Sequence, residues 1–132
     1  MSSEAITRND LAAILNEVLP PKESYPKDLG YIINSEASTS TTGAWVYTGL
    51  SFTVPAEHRY LVTIAQTYSH GNPRGIGLAM SSSSSTPTFM NLNTSGSVYR
   101  LTALLEPGTW YIFTYRAATG SNNYSVQAID FM

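Results

Sequence analysis

The sequence predicts a mainly β fold. It is an antiparallel, jelly-roll-like β-sandwich of about eight strands, preceded by one short N-terminal amphipathic α-helix. Two observations lead there. From residue 44 onward, apolar and polar residues alternate with the period of two that a half-buried strand requires, and Gly, Pro, Asn and Ser clusters interrupt the alternation. Before that, only Ile6 to Pro21, ITRNDLAAILNEVLPP, carries a helical period. The 132 residues have room for one domain with a real core. They divide into a helix over 1–21, a polar linker with one short strand over 22–43, and a β domain over 44–132.

The helix begins with a capping box. Thr7 accepts a free backbone N–H of the first turn and Asp10 reaches back, with Asp standing where Glu or Gln is usual. Ile6 and Leu11 hold the two positions of a hydrophobic staple. Leu11, Ile14, Leu15, Val18 and Leu19 form one apolar stripe, and Pro20-Pro21 end it. So short a helix is marginal alone, so its stripe needs cover. Its own β domain, sister copies or another protein could supply that cover. Leu11, Ile14 and Val18 fit the a-d-a spacing of a helical bundle.

The strands follow in order. Gly30 to Asn34 is a short apolar run, and Ser35 to Gly43 reads as a loop by composition. Trp45 to Val54 alternates and ends at Pro55-Ala56. His58 to Tyr68 puts Tyr60, Val62 and Ile64 on one face. Gly75 to Met80 is a strand whose glycines signal a bulge or close packing. After a hydroxyl-rich loop, Thr88 to Leu92 is short. Val98 to Leu105 turns Tyr99, Leu101, Ala103 and Leu105 inward. Thr109 to Arg116 is apolar on both faces, as a central strand or one meeting another chain would be. Gly120 to Asn123 turns, and the last strand groups Tyr124, Val126 and Ala128.

Composition narrows the way of life. Net charge is −2, so no basic field exists to hold nucleic acid or an anionic membrane. There is no cysteine, which excludes disulfides and thiolate metal sites. No apolar run is long enough to span a bilayer as a helix, and Met1-Ser2-Ser3-Glu4 does not read as a signal peptide. Charged residues make up 12%, half the usual share. Beyond residue 36 they are only Glu57, Arg59, Arg74, Arg100, Glu106, Arg116 and Asp130. A surface of hydroxyls and amides suits an exported or particle-bound β protein, yet no export signal precedes it. A virion component, made in the host cytoplasm and released by lysis, meets both conditions.

Phe52-Thr53-Val54-Pro55 followed by Tyr60-Leu61-Val62-Thr63-Ile64, and then Leu105-Glu106-Pro107-Gly108-Thr109-Trp110-Tyr111-Ile112, form a familiar pattern. It resembles jelly-roll heads of the tumour-necrosis-factor and complement globular-head type. It is also similar to trimeric heads of tailed-bacteriophage fibres and capsid decoration (head-fibre) proteins. Thr7-Arg8-Asn9-Asp10-Leu11 with Leu15-Asn16-Glu17-Val18-Leu19-Pro20 resembles N-terminal segments of small phage structural proteins. The resemblance implies a homotrimer with aromatic residues near its threefold axis, and no particular ligand-binding residue. The chain departs from those families in lacking a long collagen-like or coiled-coil stalk; only the short helix could serve as one.

Enzyme chemistry finds no constellation. His58 and His70 are the only histidines, too few for a zinc site without cysteine. Ser69 and His70 are adjacent, and neighbouring strand residues face opposite ways; there is no G-x-S-x-G elbow. Glu57, Glu106 and Asp130 are the only carboxylates of the β domain, and the first two sit in turns. Gly71, Gly75 and Gly77 do not make a phosphate-binding G-x-G-x-x-G. Asn93-Thr94-Ser95 and Asn123-Tyr124-Ser125 are sequons that would matter only in a eukaryotic secretory pathway. No cofactor, metal or catalytic residue is expected.

The expected function is therefore non-enzymatic: a trimeric structural protein on the virion surface, as capsid decoration or tail-fibre head. Leu11, Ile14, Leu15, Val18 and Leu19 would form a helix interface to sister copies or other virion proteins. Trp45, Tyr47, Trp110, Tyr111, Phe113 and Tyr115 are the candidates for a subunit interface or a glycan platform. The alternative is a β-sandwich module that binds carbohydrate or a host receptor.

Overall fold

The computed structural model describes residues 24–39, 44–68, 75–92, 98–115 and 120–132. The helix expected over 1–21, with its stripe Leu11, Ile14, Leu15, Val18 and Leu19, lies outside them. The described chain is mainly β. Its strands are β1 (Lys27–Thr39), β2 (Trp45–Val54), β3 (Tyr60–Tyr68), β4 (Ile76–Ala79), β5 (Phe89–Asn91), β6 (Val98–Leu105), β7 (Gly108–Tyr115) and β8 (Gly120–Asp130).

They form two four-stranded sheets. Sheet A has the order β1-β8-β3-β6 and sheet B the order β2-β7-β4-β5. Every pairing is antiparallel. The pairs β1·β8, β2·β7, β3·β6 and β4·β5 nest one inside the next, as in a long hairpin rolled up on itself. β3·β8 and β4·β7 then complete each sheet. One pole of the sandwich gathers the strand ends Thr39, Trp45, Tyr68, Ile76, Asn91, Val98, Tyr115 and Gly120. The opposite pole holds Lys27, where the described chain enters β1, and Asp130, where β8 ends.

One stretch departs from the sequence expectation. The linker assigned to 22–43 is largely strand, because β1 runs on through Ser35–Thr39. Its Ser, Glu and Thr side chains look like loop composition. The backbone is nevertheless held to β8 through Thr39↔Gly120, and Glu36 accepts a hydrogen bond from the Ser121 hydroxyl. β8 likewise starts at Gly120, where the sequence suggested a turn. An edge strand with one face in solvent needs little apolar content, so its hydrophobic pattern is weak.

The core lies between the sheets. Val62, Ile64, Leu101, Leu105, Tyr124 and Val126 from sheet A meet Phe52, Val54, Ile76, Leu78, Trp110 and Ile112 from sheet B. Each fully buried aliphatic or aromatic side chain contributes about 1.5–3 kcal/mol. The alternation read for β3, β6 and β8 places these residues correctly. The L-E-P-G-T-W stretch acquires a physical reason. Gly108 takes φ 139°, a backbone region that disfavours side chains, and the Trp110 Nε1–H donates to the Glu106 carbonyl at 3.0 Å. The indole then packs on Phe89 with ring centroids 5.7 Å apart.

Towards the pole that gathers Thr39, Trp45 and Gly120, the two sheets are tied by polar groups. Gln66 on β3 is fully buried and its Nε2 donates to Thr114 Oγ1 on β7 at 2.8 Å and to the Tyr124 hydroxyl on β8 at 2.7 Å. Burial raises the Tyr124 phenol above its ordinary 10.0, and the hydrogen bonds from Gln66, Thr114 and Asn122 only partly offset this. The folded chain therefore keeps the phenol proton to a higher pH than the unfolded chain does. That contribution is fully present below the unfolded value and is lost as pH rises through the folded one. Replacing Tyr124 by Phe should cost about 1–2 kcal/mol at pH 7, measured by urea unfolding, because a buried Gln66 donor loses its acceptor. The gap between parent and variant should narrow above about pH 10, where only the parent gains a phenol to ionise on unfolding.

Candidate functional site

Sheet B has two differently used faces, and the β2–β7 register creates the difference. Trp45↔Tyr115, Tyr47↔Phe113, Ser51↔Tyr111 and Thr53↔Thr109 are directly paired, so their side chains share the outer face. Trp110, Ile112 and Thr114 point inward and are buried. The run that reads as apolar on both sides thus splits cleanly into core and outer layer. Trp110, named with the outward candidates in the sequence, is 3% exposed and belongs to the core. The other five lie together outside.

The outer five make a continuous aromatic layer. Trp45 and Tyr115 lie 4.8 Å apart between ring centroids, Tyr47 and Tyr111 5.4 Å edge-on, and Tyr47 and Phe113 5.8 Å. Such cross-strand ring pairs contribute about 0.5–1.5 kcal/mol each beyond their burial. Phe113 is 2% exposed at the centre, while Trp45, Tyr47, Tyr111 and Tyr115 are half-buried around it. A bulge in β2 separates this layer from the remaining strand. There Gly49 takes φ 87°, and Thr48 turns inward to donate to the Ile112 carbonyl at 2.8 Å while accepting from Leu50 N.

The layer is closed on its β4 side by the 80–88 connection. Thr88 N donates to the Leu78 carbonyl at 2.8 Å, and Pro87 is buried over Gly77. A Cβ at Gly77 would lie 2.6 Å from Pro87 Cγ and 3.0 Å from the Trp45 ring. This is the close packing that glycines in this strand signalled. β4 is consequently buried on both faces: Ile76 and Leu78 reach the core, Gly77 and Ala79 face the aromatic layer.

A second cluster went unread in the sequence. His58 Nδ1 pairs with Asp130 Oδ2 at 2.7 Å, and Asp130 Oδ1 accepts from Met132 N at 2.8 Å. Tyr25 stands edge-on to the imidazole at 6.3 Å. Burial and the Asp130 charge push the Tyr60 phenol upward, with Lys27 opposing. The pair joins the Pro55–His58 turn to the end of β8 and locks the chain-entry pole. The sequence signal was thin: one histidine at a strand start and one aspartate many residues later, brought together only by β3·β8 pairing. His70 and Ser69 lie outside the described residues.

Glu57 and Glu106 are exposed and stand in turns. Among the described residues no group of three or more His, Asp or Glu side chains could hold a metal ion, and no helix is long and apolar enough to cross a membrane. No family model, curated protein or solved structure matches the chain. The class that can be stated is a two-sheet antiparallel β-sandwich with an aromatic outer layer.

The glycine under Pro87 gives a direct test of that layer. Gly77→Ala forces Pro87, a rigid ring, away from β4 and should cost about 1–3 kcal/mol in urea unfolding. A Gly77→Ala chain as stable as the parent would mean that the 80–88 connection does not seal the aromatic face.

Proposed function

We propose that this chain is a non-enzymatic structural and interaction protein whose sandwich is a jelly-roll head. It assembles with copies of itself through the outer face of sheet B, as a trimer. The nested pairing of the strands supports the jelly-roll reading, since that topology is a rolled-up long hairpin of eight strands in two sheets. The observation that carries the assembly reading is the layer of Trp45, Tyr47, Tyr111 and Tyr115 around Phe113. Four half-exposed aromatic rings on one sheet face have the composition of a subunit interface, where Tyr and Trp are enriched and charges depleted. The charge-poor surface and the resemblance to phage heads support a place on a virion surface, as capsid decoration or fibre head.

Symmetry sets a condition on this reading. A face that packed on its own copy would close a dimer, whereas a trimer requires the aromatic face of one protomer to meet a different patch of the next. Static light scattering on the full chain at micromolar concentration should give the mass of three 14.4 kDa chains. Tyr47→Ser combined with Tyr111→Ser should return it to a monomer with unchanged β circular dichroism. A monomeric parent overturns the proposal, and a dimer replaces the threefold reading by an isologous one.

A second reading is favoured by Trp45 alone. It is half-exposed on β2, the edge strand of sheet B, at the pole where the strand ends Thr39, Tyr68, Asn91 and Gly120 gather. A ring so placed can stack on a pyranose. Its sign would be a glycan-array signal that Trp45→Ala abolishes while the assembly mass stays the same.

A further inference from the structure

The outer face of sheet A separates its charges by strand. Asp28 and Glu36 stand on β1, one edge of the sheet. Arg100 stands on β6, the other edge, and Arg59 directly precedes the neighbouring β3. All four are exposed. Among the described residues none of them has an oppositely charged side chain within ion-pair reach. Asp28 accepts from Gly30 N at 2.8 Å, and Glu36 accepts from the Ser121 hydroxyl. Among the described residues Glu106, exposed in the turn after β6, is the one carboxylate on the arginine side.

Apolar groups lie between the two charged sides. Leu61 on β3 pairs with Leu104 on β6 and with Ile129 on β8, which are 46% and 37% exposed. In the next row Tyr31, 60% exposed on β1, stands beside Gln127, Thr63 and Thr102. Further along, Ala65 is paired with Arg100, and Val98 with Thr67, and both apolar members are half-buried.

Two copies of this face can meet about two kinds of twofold axis. An axis across the strands lays β1 on the partner's β1, so that acid faces acid, and sets the Leu61 row on the polar row of Glu36, Asn123 and Thr67. An axis along the strands lays β1 over the partner's β6 and β8 over its β3, and sets each row on itself. Ile129 then meets the partner's Leu61. Tyr31 lies over the partner's β6, between the partner's Leu104 and the partner's Arg100. Facing sheets lie about 10 Å apart and alternate residues about 7 Å apart along a strand, so the Cα atoms of Glu36 and the partner's Arg100 are about 12 Å apart. Two long side chains pointing at each other span that distance. Asp28 comes diagonally over the partner's Arg59.

We propose that the outer face of sheet A is a second self-contact, in which two copies pair about a twofold axis parallel to the strands. The acidic β1 edge of each lies against the arginine side of the other, and the Leu61 rows stack. This goes beyond assembly through sheet B, because it joins chains through the opposite sheet. The apolar patch is small, so the contact is weak, with a dissociation constant on the order of 0.1–1 mM.

Sedimentation tests it on the full chain carrying Tyr47→Ser and Tyr111→Ser, in which the sheet B contact is removed and only this one is read. At low salt this chain should turn from monomer into dimer as its concentration approaches about 1 mM. Adding Ile129→Asp, at an exposed position, should abolish the dimer. Glu36→Arg alone and Arg100→Glu alone should each weaken it at least about fivefold, because like charges then face each other. Mixing those two single variants should restore it, since a mixed pair holds one native and one reversed ion pair. An effect on folding within one chain is not rescued by mixing, and unchanged β circular dichroism checks that each variant folds. A chain that stays monomeric throughout overturns the proposal. So does an association that survives Ile129→Asp, ignores the charge reversals or is not restored by mixing.

Discussion

Sheet A depends on its last strand. β8 lies between β1 and β3, so the C-terminal stretch of the described chain is the middle of the sheet and not its edge. Without it, β1 has no partner in the sheet and β3 keeps only β6. The closure is long in sequence, since Lys27 must meet Asp130, and the entropy of that loop is lost before any pairing compensates it. Once β8 is in place it fixes the rest. Tyr124 and Val126 fill the core, the Gln66 network ties the two sheets, and Asp130 gathers His58 and Met132 N at the entry pole.

The two sheets use their outer faces differently. Sheet B concentrates rings at one site, where β2 and β7 lie in register and Pro87 folds over Gly77. Sheet A keeps one aliphatic row near the entry pole, and the row beside it is hydroxyl and amide. With so few charges on the β domain, the polarity of these faces comes from Ser, Thr, Asn and Gln side chains. Either apolar zone, left bare, is the kind of patch that soluble proteins cover or use.

Much of this architecture was legible in the sequence. The alternations of β3, β6 and β8 marked the inward set, because each pairs a buried face with a solvated one. The double-sided apolarity of Thr109–Tyr115 announced β7 as a strand with neighbours on both faces, and its outer residues stand beside Trp45 and Tyr47. Three things were hidden. β1 is too polar along Ser35–Thr39 to show a strand pattern, and only its pairing to β8 makes it one. Trp110 reads like its aromatic neighbours until the register decides which way it points. The His58–Asp130 pair depends on strand order, which no local pattern encodes. The short helix of 1–21 lies outside the described residues, and its stripe is a reading of periodicity.

The pole that gathers the eight strand ends from Thr39 to Gly120 has an evolutionary meaning. The connections made there, 40–44, 69–75, 92–97 and 116–119, join strands whose registers are fixed elsewhere. Doubling the length of such a connection costs only about 0.6 kcal/mol in closure entropy. Insertions and substitutions can therefore accumulate at that end without disturbing the scaffold. Selection for new partners would act first where change is least costly.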